Sequence, residues 1–114
     1  MMTFESIKTI RDLVTEAGKA YENRVYLRTL RNNMIHDTTF GQFSLECNAI
    51  AAWTAEQSKN LGHQARVAMI STNNALYARM MLGVMAGGGT TVYLDPQATV
   101  DVVCACLNKS ESDI

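Results

Sequence analysis

The most constraining feature of this sequence is an uncharged run from Met80 to Leu94, interrupted by Gly87, Gly88 and Gly89. The run is shorter than the ~20 apolar residues that a membrane-spanning helix needs, and consecutive glycines break such a helix. It therefore predicts protein core, with a buried helix that ends at the glycines and an apolar strand after them.

Two short apolar strands flank that helix. Residues 66–70 are mostly apolar without alternation, which is typical of a strand covered on both faces in a parallel sheet. Asn73 or Asn74 can cap a helix over 75–86 that is apolar almost all round and should be deeply buried, and residues 90–94 form the second strand. This order predicts an α/β fold: a partial parallel sheet, a right-handed crossover and helices on both faces.

The amino-terminal part predicts a helix followed by an antiparallel hairpin. Thr9 and Asp12 have the spacing of a capping box, and Gly18 is expected to weaken or end the helix that starts there. Residues 25–30 favour a strand, and the pair 32–33, both asparagine, supplies a turn into a second strand.

A second capping box, formed by Thr39 and Gln42, predicts the longest helix, which should end near Gly62. The apolar stripe of this helix is expected to consist of Phe40, Phe43, Cys47, Ile50 and Leu61.

The carboxyl-terminal part predicts one more helix. Asp95 and Pro96 stop the second strand, and Thr99 can cap a helix that extends through Leu107. Residues 113–114 are then expected to be the first residues of another strand.

Composition excludes several classes of function. The net charge is -1 with a pI near 6.1, and no segment concentrates Lys and Arg, so nucleic acid is not an expected partner. Glu5, Lys8 and Arg11 interrupt the amino-terminal segment where a secretory leader would be apolar, which predicts a cytoplasmic protein without a transmembrane segment. An odd number of cysteines, 3, favours reduced thiols packed in a core.

The three glycines at 87–89 are the one candidate for a phosphate-binding loop. A phosphate loop follows a strand and opens a helix, so that backbone N–H groups and the positive helix end face the anion. These glycines instead follow a helix and lead into a strand, which favours a role in ending the helix and in close packing.

Other residues with chemical potential have simpler interpretations. Cys104 and Cys106 would point about 200° apart on a helix, so a shared metal is excluded and packing is expected. His36 and His63 lie in turn regions without neighbouring ligands, which favours solvated or capping histidines. Core filling is expected of the methionines of the uncharged run, Met80, Met81 and Met85.

Asn73 and Asn74 are the most interesting polar pair. They follow the carboxyl end of a strand, which is where open α/β sheets bind ligands. Capping the next helix is one role for them, and lining an acyl or nucleotide cleft is the other.

The ordered motifs of residues 9–114 resemble the amino-terminal region of the AMP-forming acyl-CoA synthetases. TTFGQF occupies the place of the family's helix-opening "T-Y-x-E-L", and LGHQARVAM resembles "G-V-x-x-G-D-R-V-A-I", with Gln64 and Ala65 replacing its Gly-Asp pair. LGVMAGGGTTVYLDP is similar to "G-x-x-x-x-G-A-x-x-V-P-L-D-P", and Asn73 to the Asn that begins the intervening helix. CNAIAAW around Trp53 and LDPQ around Gln97 favour the long-chain fatty-acid branch.

This resemblance implies a ligase that joins a carboxylate to AMP, releasing pyrophosphate, and then transfers the acyl group to coenzyme A. It also implies ATP, Mg²⁺ and coenzyme A for the parent enzyme, together with a fatty-acid substrate. The Ser/Thr/Gly-rich loop ending in Lys that grips phosphate in this family does not occur in residues 1–114. We therefore expect no catalytic, cofactor-binding or metal residue in this chain, and no activity of the chain by itself.

Residues 1–114 are thus predicted to be the amino-terminal part of a large AMP-binding domain. A bare sheet edge would let the isolated piece self-associate. A stand-alone α/β binding or assembly module with the same strand order is the alternative. A doubly wound nucleotide-binding domain is disfavoured, because neither strand is followed by a glycine fingerprint.

Overall fold

The computed structural model describes residues 2–114 of the chain. A short 3₁₀ turn at Phe4–Ser6 precedes the helices and strands: α1 Ile10–Ala20, β1 Val25–Arg31, β2 Met34–Thr39, α2 Phe40–Leu61, β3 Arg66–Ile70, α3 Ala75–Ala86, β4 Thr90–Leu94 and α4 Val100–Ser110. β1 and β2 form an antiparallel pair, and β3 and β4 a parallel pair. The predicted α/β class is confirmed. No helix within residues 2–114 is long and apolar enough to cross a membrane.

Helix α1 begins at the predicted capping box. The Asp12 amide donates to the Thr9 hydroxyl at 3.0 Å, and the Thr9 amide donates to the Asp12 carboxylate at 3.1 Å. The expectation that Gly18 ends this helix was wrong, because α1 continues to Ala20. Gly18 is buried against Ser44 of α2, whose side chain a Cβ at this position would overlap. The glycine therefore allows two helices to approach closely.

The predicted hairpin is confirmed, and its turn has the expected chemistry. Asn32 and Asn33 have φ values of 54° and 58°, a left-handed conformation that asparagine tolerates better than most residues. Across the strands, the Arg28 guanidinium donates two hydrogen bonds to Asp37, at 2.7 and 3.0 Å. These bonds hold the pKa of the Asp37 carboxyl below its ordinary value.

Helix α2 is the longest element and packs against both α1 and α3. It starts at the predicted Thr39 and Gln42 box and ends at Gly62, which has a φ of 78°. The buried side chains of its core face are Phe43, Ser44, Cys47, Ala51 and Thr54. Leu61 was expected on this face but is 41% exposed, because it lies in the last turn, beyond the helices that cover α2.

Burial along β3 differs from the prediction. Val67 and Met69 are buried, whereas Arg66 and Ala68 are half-buried and Ile70 is 51% exposed. The strand therefore has one well-covered face, the one that packs under α3, although its sequence does not alternate.

Helix α3 is also less buried than its composition suggested. Only Gly83, Val84 and Ala86 are fully buried, and Leu76 is 63% exposed. The helix contacts α1, α2 and β4 on its inner side. A helix that is apolar on all sides can be buried, but each side becomes buried only where another element covers it.

Glycine residues allow α3 and the turn after it to lie directly on α2. A Cβ at Gly83 would come within 2.6 Å of the Ile50 side chain. A Cβ at Gly87 would overlap the carbonyl oxygen of Ala51 and lie 2.9 Å from its Cα. The contact at Gly87 is with backbone, which cannot rotate out of the way.

Helix α4 follows β4 and contacts it, but no α4 residue is fully buried. Thr99 occupies the predicted cap position without a side-chain hydrogen bond. After the helix ends, residues 113–114 form backbone hydrogen bonds with Arg66 and Ala68 of β3, as expected for the start of a strand.

We predict that Gly87→Ala lowers the free energy of unfolding by about 3 kcal/mol, because an added methyl group cannot be placed against the Ala51 backbone without separating the helices. Urea denaturation followed by circular dichroism measures this difference.

Gly62→Ala is the matched control. It has a positive φ but no atom within 4 Å of an added Cβ, so it should cost only about 1 kcal/mol of backbone strain. An equal or larger loss for Gly62→Ala would show that the close approach at Gly87 is not the dominant constraint.

Candidate functional site

The polar residues that best fit a ligand-facing position lie where β3 and β4 end. Because the two strands are parallel, Ser71 to Asn74 after β3 and Asp95 after β4 follow the same end of the sheet. Carboxyl ends of parallel strands are the usual place for ligands in open α/β sheets. This edge is the candidate site.

The structure assigns the capping role to Asn74. Its side-chain oxygen accepts from the Tyr77 amide at 2.9 Å, and its side-chain nitrogen donates to the Ser71 hydroxyl and the Thr72 carbonyl, each at 3.1 Å. The Asn73 side chain is exposed and makes no hydrogen bond within residues 2–114. The Asn74 side chain therefore forms its hydrogen bonds within the local turn. Of the two asparagines, Asn73 has the side chain that is available to a ligand.

A small cavity of about 210 Å³ adjoins this edge. It is lined by residues of β3 and α3, among them Met69, Leu76 and Tyr77, with Ser71 and Asn74 at its polar side. No charged residue lines it. Such a cavity can form a wall for an apolar group, and no carboxylate, histidine, lysine or cysteine side chain lines it.

The glycines at 87–89 use their N–H groups to end α3. The amides of Gly87, Gly88 and Gly89 donate to carbonyl oxygens of Gly83, Met85 and Val84 at 2.9–3.1 Å. These bonds confirm that the glycines end the helix, and Gly87 and Gly89 also pack closely against α2, whereas Gly88 faces open space. A nucleotide phosphate does not fit here, because the donors that would bind it are already paired.

The described residues also do not fit a metal ion. No group of three or more His, Cys, Asp or Glu side chains in residues 2–114 is arranged to hold one. His36 is exposed on β2. His63 follows α2, with its Nε2 atom 3.4 Å from a carboxylate oxygen of Asp113. That no residue of this chain binds a cofactor or metal stays a prediction.

The cysteines divide into two groups. Cys47 is fully buried between α2 and α3, as predicted, and its thiol donates to the Arg79 carbonyl at 3.8 Å. Burial, and to a smaller extent the nearby Glu46 carboxylate, raises the pKa of the Cys47 thiol to about 11. The prediction of packed thiols was wrong for Cys104 and Cys106, which are exposed on α4, because few elements cover that helix.

One polar cluster was missed by the sequence analysis. Arg79, the only charged residue of α3, pairs with the Glu46 carboxylate of α2 and donates to the Thr38 hydroxyl of β2 at 3.1 Å. It thereby joins the hairpin, α2 and α3. A lone charge on an apolar helix signals that a partner is needed, but its partners are too distant in sequence to be identified from a pattern.

The comparison with protein families gives one match to most of the chain. The family described as "AMP-binding enzyme" matches residues 14–114. No curated protein matches the chain.

Solved structures share this fold at low sequence identity. The fatty acid AMP ligase from Legionella pneumophila matches with a TM-score of 0.78 and 18% identity, over 98% of this chain and 20% of that chain. The N-terminal subdomain of NpsA from Klebsiella oxytoca matches with a TM-score of 0.75 and 20% identity, over 93% of this chain and 26% of that chain. The chain thus spans about a fifth to a quarter of the proteins it resembles.

We predict that Asn74→Ala lowers the free energy of unfolding by about 1 kcal/mol, because it leaves the Tyr77 amide without its acceptor. Asn73→Ala is the matched control and should be neutral, since its side chain has no bond to lose. Thermal unfolding of both variants measures the difference, and equal effects would contradict the assignment of the cap.

We also predict that a thiol reagent at pH 8 rapidly modifies only the thiols of Cys104 and Cys106. The Cys47 thiol should react only after denaturation, because it is buried and its raised pKa keeps it neutral. Since the raised pKa belongs to the folded state, stability should fall as the pH rises from 9 towards 11.

The double variant Cys104→Ser/Cys106→Ser provides the control for this labelling experiment. It should show no rapid reaction while folded. Rapid modification of that variant would show that Cys47 is accessible.

Proposed function

The chain belongs to the AMP-binding enzyme family, and from this we propose that the whole protein is an adenylate-forming ligase to which residues 1–114 contribute an early scaffold layer. The observation that carries the proposal is the family match over residues 14–114. It agrees with a fold shared along 98% of the chain with a fatty acid AMP ligase.

The proposed reaction has two steps. A carboxylate oxygen of the acid attacks the α-phosphorus of ATP, forming a new P–O bond and releasing pyrophosphate. The thiol of coenzyme A then displaces AMP from the acyl-adenylate to give a thioester. A fatty acid is the proposed substrate, supported by the motifs around Trp53 and Gln97 and by the likeness to a ligase named for fatty acids.

ATP, Mg²⁺ and coenzyme A belong to this proposal for the whole protein. Residues 2–114 form no metal-ligand cluster and offer no free phosphate-binding amides at the glycine turn. We therefore assign this chain no step of the chemistry and expect it to be inactive alone.

The proposed contribution of the chain is to shape a cleft. Parallel strands β3 and β4 direct Ser71 to Asn74 and Asp95 towards one end of the sheet. The apolar cavity beside Met69 and Tyr77 is suited to the hydrocarbon part of an acyl group rather than to phosphates. Asn73 is the residue of this edge that we propose faces the cleft.

Two further expectations remain predictions. A cytoplasmic location is consistent with the charge pattern of the amino-terminal residues. Self-association of the isolated chain would use the outer edge of β4, which has no partner strand within residues 2–114.

The test of the proposed function is pyrophosphate release by the full-length gene product with ATP, Mg²⁺ and a panel of fatty and aromatic acids. We expect release that depends on a fatty acid, and thioester formation when coenzyme A is added. Acid-dependent release without thioester would limit the function to adenylate formation, whereas no release with any acid would contradict the proposal.

Asn73→Ala in the same full-length protein tests the role of the strand edge. It should raise KM for the acid or for ATP without changing the folded fraction, and Asn74→Ala is the comparison that affects folding. Unchanged kinetics of Asn73→Ala per folded molecule would remove Asn73 from the cleft.

A further inference from the structure

A cavity of about 270 Å³ lies between α1, the hairpin, α2 and α3. Its lining residues are all uncharged: Met2, Leu13, Val14, Ala17, Tyr21, Tyr26, Phe40, Phe43 and Leu82. Val14 and Phe43 belong to the hydrophobic core, being 5% and 4% exposed, and Leu82 packs against this cluster. None of these residues lines the cavity beside Met69, so the two cavities are separate sites.

One part of the cavity wall is aromatic. The ring centroid of Tyr26 lies 4.9 Å from that of Phe40 and 4.4 Å from that of Phe43, and the centroids of Tyr21 and Phe40 are 5.6 Å apart. The rings are tilted or edge-on to each other, which are geometries that aromatic pairs prefer. Because a ring that turned into the cavity would lose these contacts, the walls hold the cavity open.

The amino-terminal segment borders the cavity without filling it. Met2 and Leu13 also line a neighbouring cavity of about 180 Å³, together with Phe4 and Ile7. Phe4 is the one aromatic residue before α1, and its side chain is 99% exposed. The space beside the aromatic wall is therefore left free by this segment.

The lining excludes charged ligands. An anion would lose its hydration without gaining a partner, because no charged side chain lines the cavity. A cation needs the open face of a ring, within about 6 Å of its centroid. The Arg24 guanidinium already lies 5.2 Å from the Tyr21 centroid, and Tyr26 and the two phenylalanines pack against one another. A neutral ligand is the class that fits.

The size of the cavity and its aromatic wall narrow this class further. An apolar protein cavity of about 150 Å³ is large enough to bind benzene, whereas drug-sized ligands occupy about 300–1,000 Å³. A cavity of about 270 Å³ accommodates one ring and a short substituent. An aromatic ring also gains edge-to-face contacts with the wall, which a saturated ring of the same size does not.

We propose that this cavity is a binding site for a neutral molecule with one aromatic ring and a short substituent. The ring contacts Tyr26 and Phe43, and Ala17 limits the space that it can enter. The site is separate from the proposed acyl cleft, and its occupation does not require the ligase reaction.

The test titrates the 114-residue chain with phenol and, separately, with cyclohexanol, and follows the backbone amides by NMR. The two probes are similar in size and share a hydroxyl group, but only phenol is aromatic. We expect saturable shifts at Val14, Tyr26 and Phe43, with a Kd for phenol at least about threefold lower than for cyclohexanol. Equal affinities, or shifts that spread over the surface without saturating, would overturn the proposal.

A cavity-filling variant tests the location. Ala17→Leu places a larger apolar side chain in the cavity and should weaken phenol binding by about tenfold. Ala20→Leu is the matched control: it makes the same change at an exposed position of α1 and should leave the Kd unchanged. Phenol binding by Ala17→Leu with the Kd of the unaltered chain would also overturn the proposal. If Ala17→Leu does not fold, the comparison of the two probes on the unaltered chain still decides.

Discussion

The close approach of α3 to α2 is the constraint on which this fold depends. Glycine at positions 83 and 87 brings α3 against the side chain of Ile50 and the backbone of Ala51. At this distance Cys47, Thr54 and Val84 are almost completely excluded from solvent. Because α3 connects β3 to β4 along the chain, its spacing from α2 also affects where the parallel pair lies.

The polar groups around α3 differ in role from those at the ends of the strands. The amides of the glycine turn end α3, Asn74 caps its start, and Arg79 joins it to Glu46 and Thr38. These groups have their partners inside the scaffold. Polar side chains that make no such bonds, above all Asn73, lie at the carboxyl ends of the strands. For this reason the proposed role of this chain is to shape a cleft.

The sequence alone was sufficient to predict features that depend on residues close together in the chain. The Thr9 and Thr39 capping boxes, the hairpin turn at 32–33 and the end of α2 at Gly62 formed as predicted. The prediction failed where burial depended on coverage by another element. Helix α1 continues through Gly18, which packs against Ser44 of α2. The α4 cysteines are exposed because little covers that helix. At the candidate site, the sequence identified both asparagines, and only the tertiary structure showed that Asn74 is the one that caps α3.

By itself the sequence determined the order and type of the elements, because caps, turns and apolar periodicity act over a few residues. It also indicated the AMP-binding enzyme family, whose match covers residues 14–114. Tertiary structure alone decided the pairing of Arg79 with Glu46, of His63 with Asp113 and of Ile114 with β3. Each of these contacts joins residues that are remote along the chain, so their meeting depends on how the helices pack and leaves no local pattern.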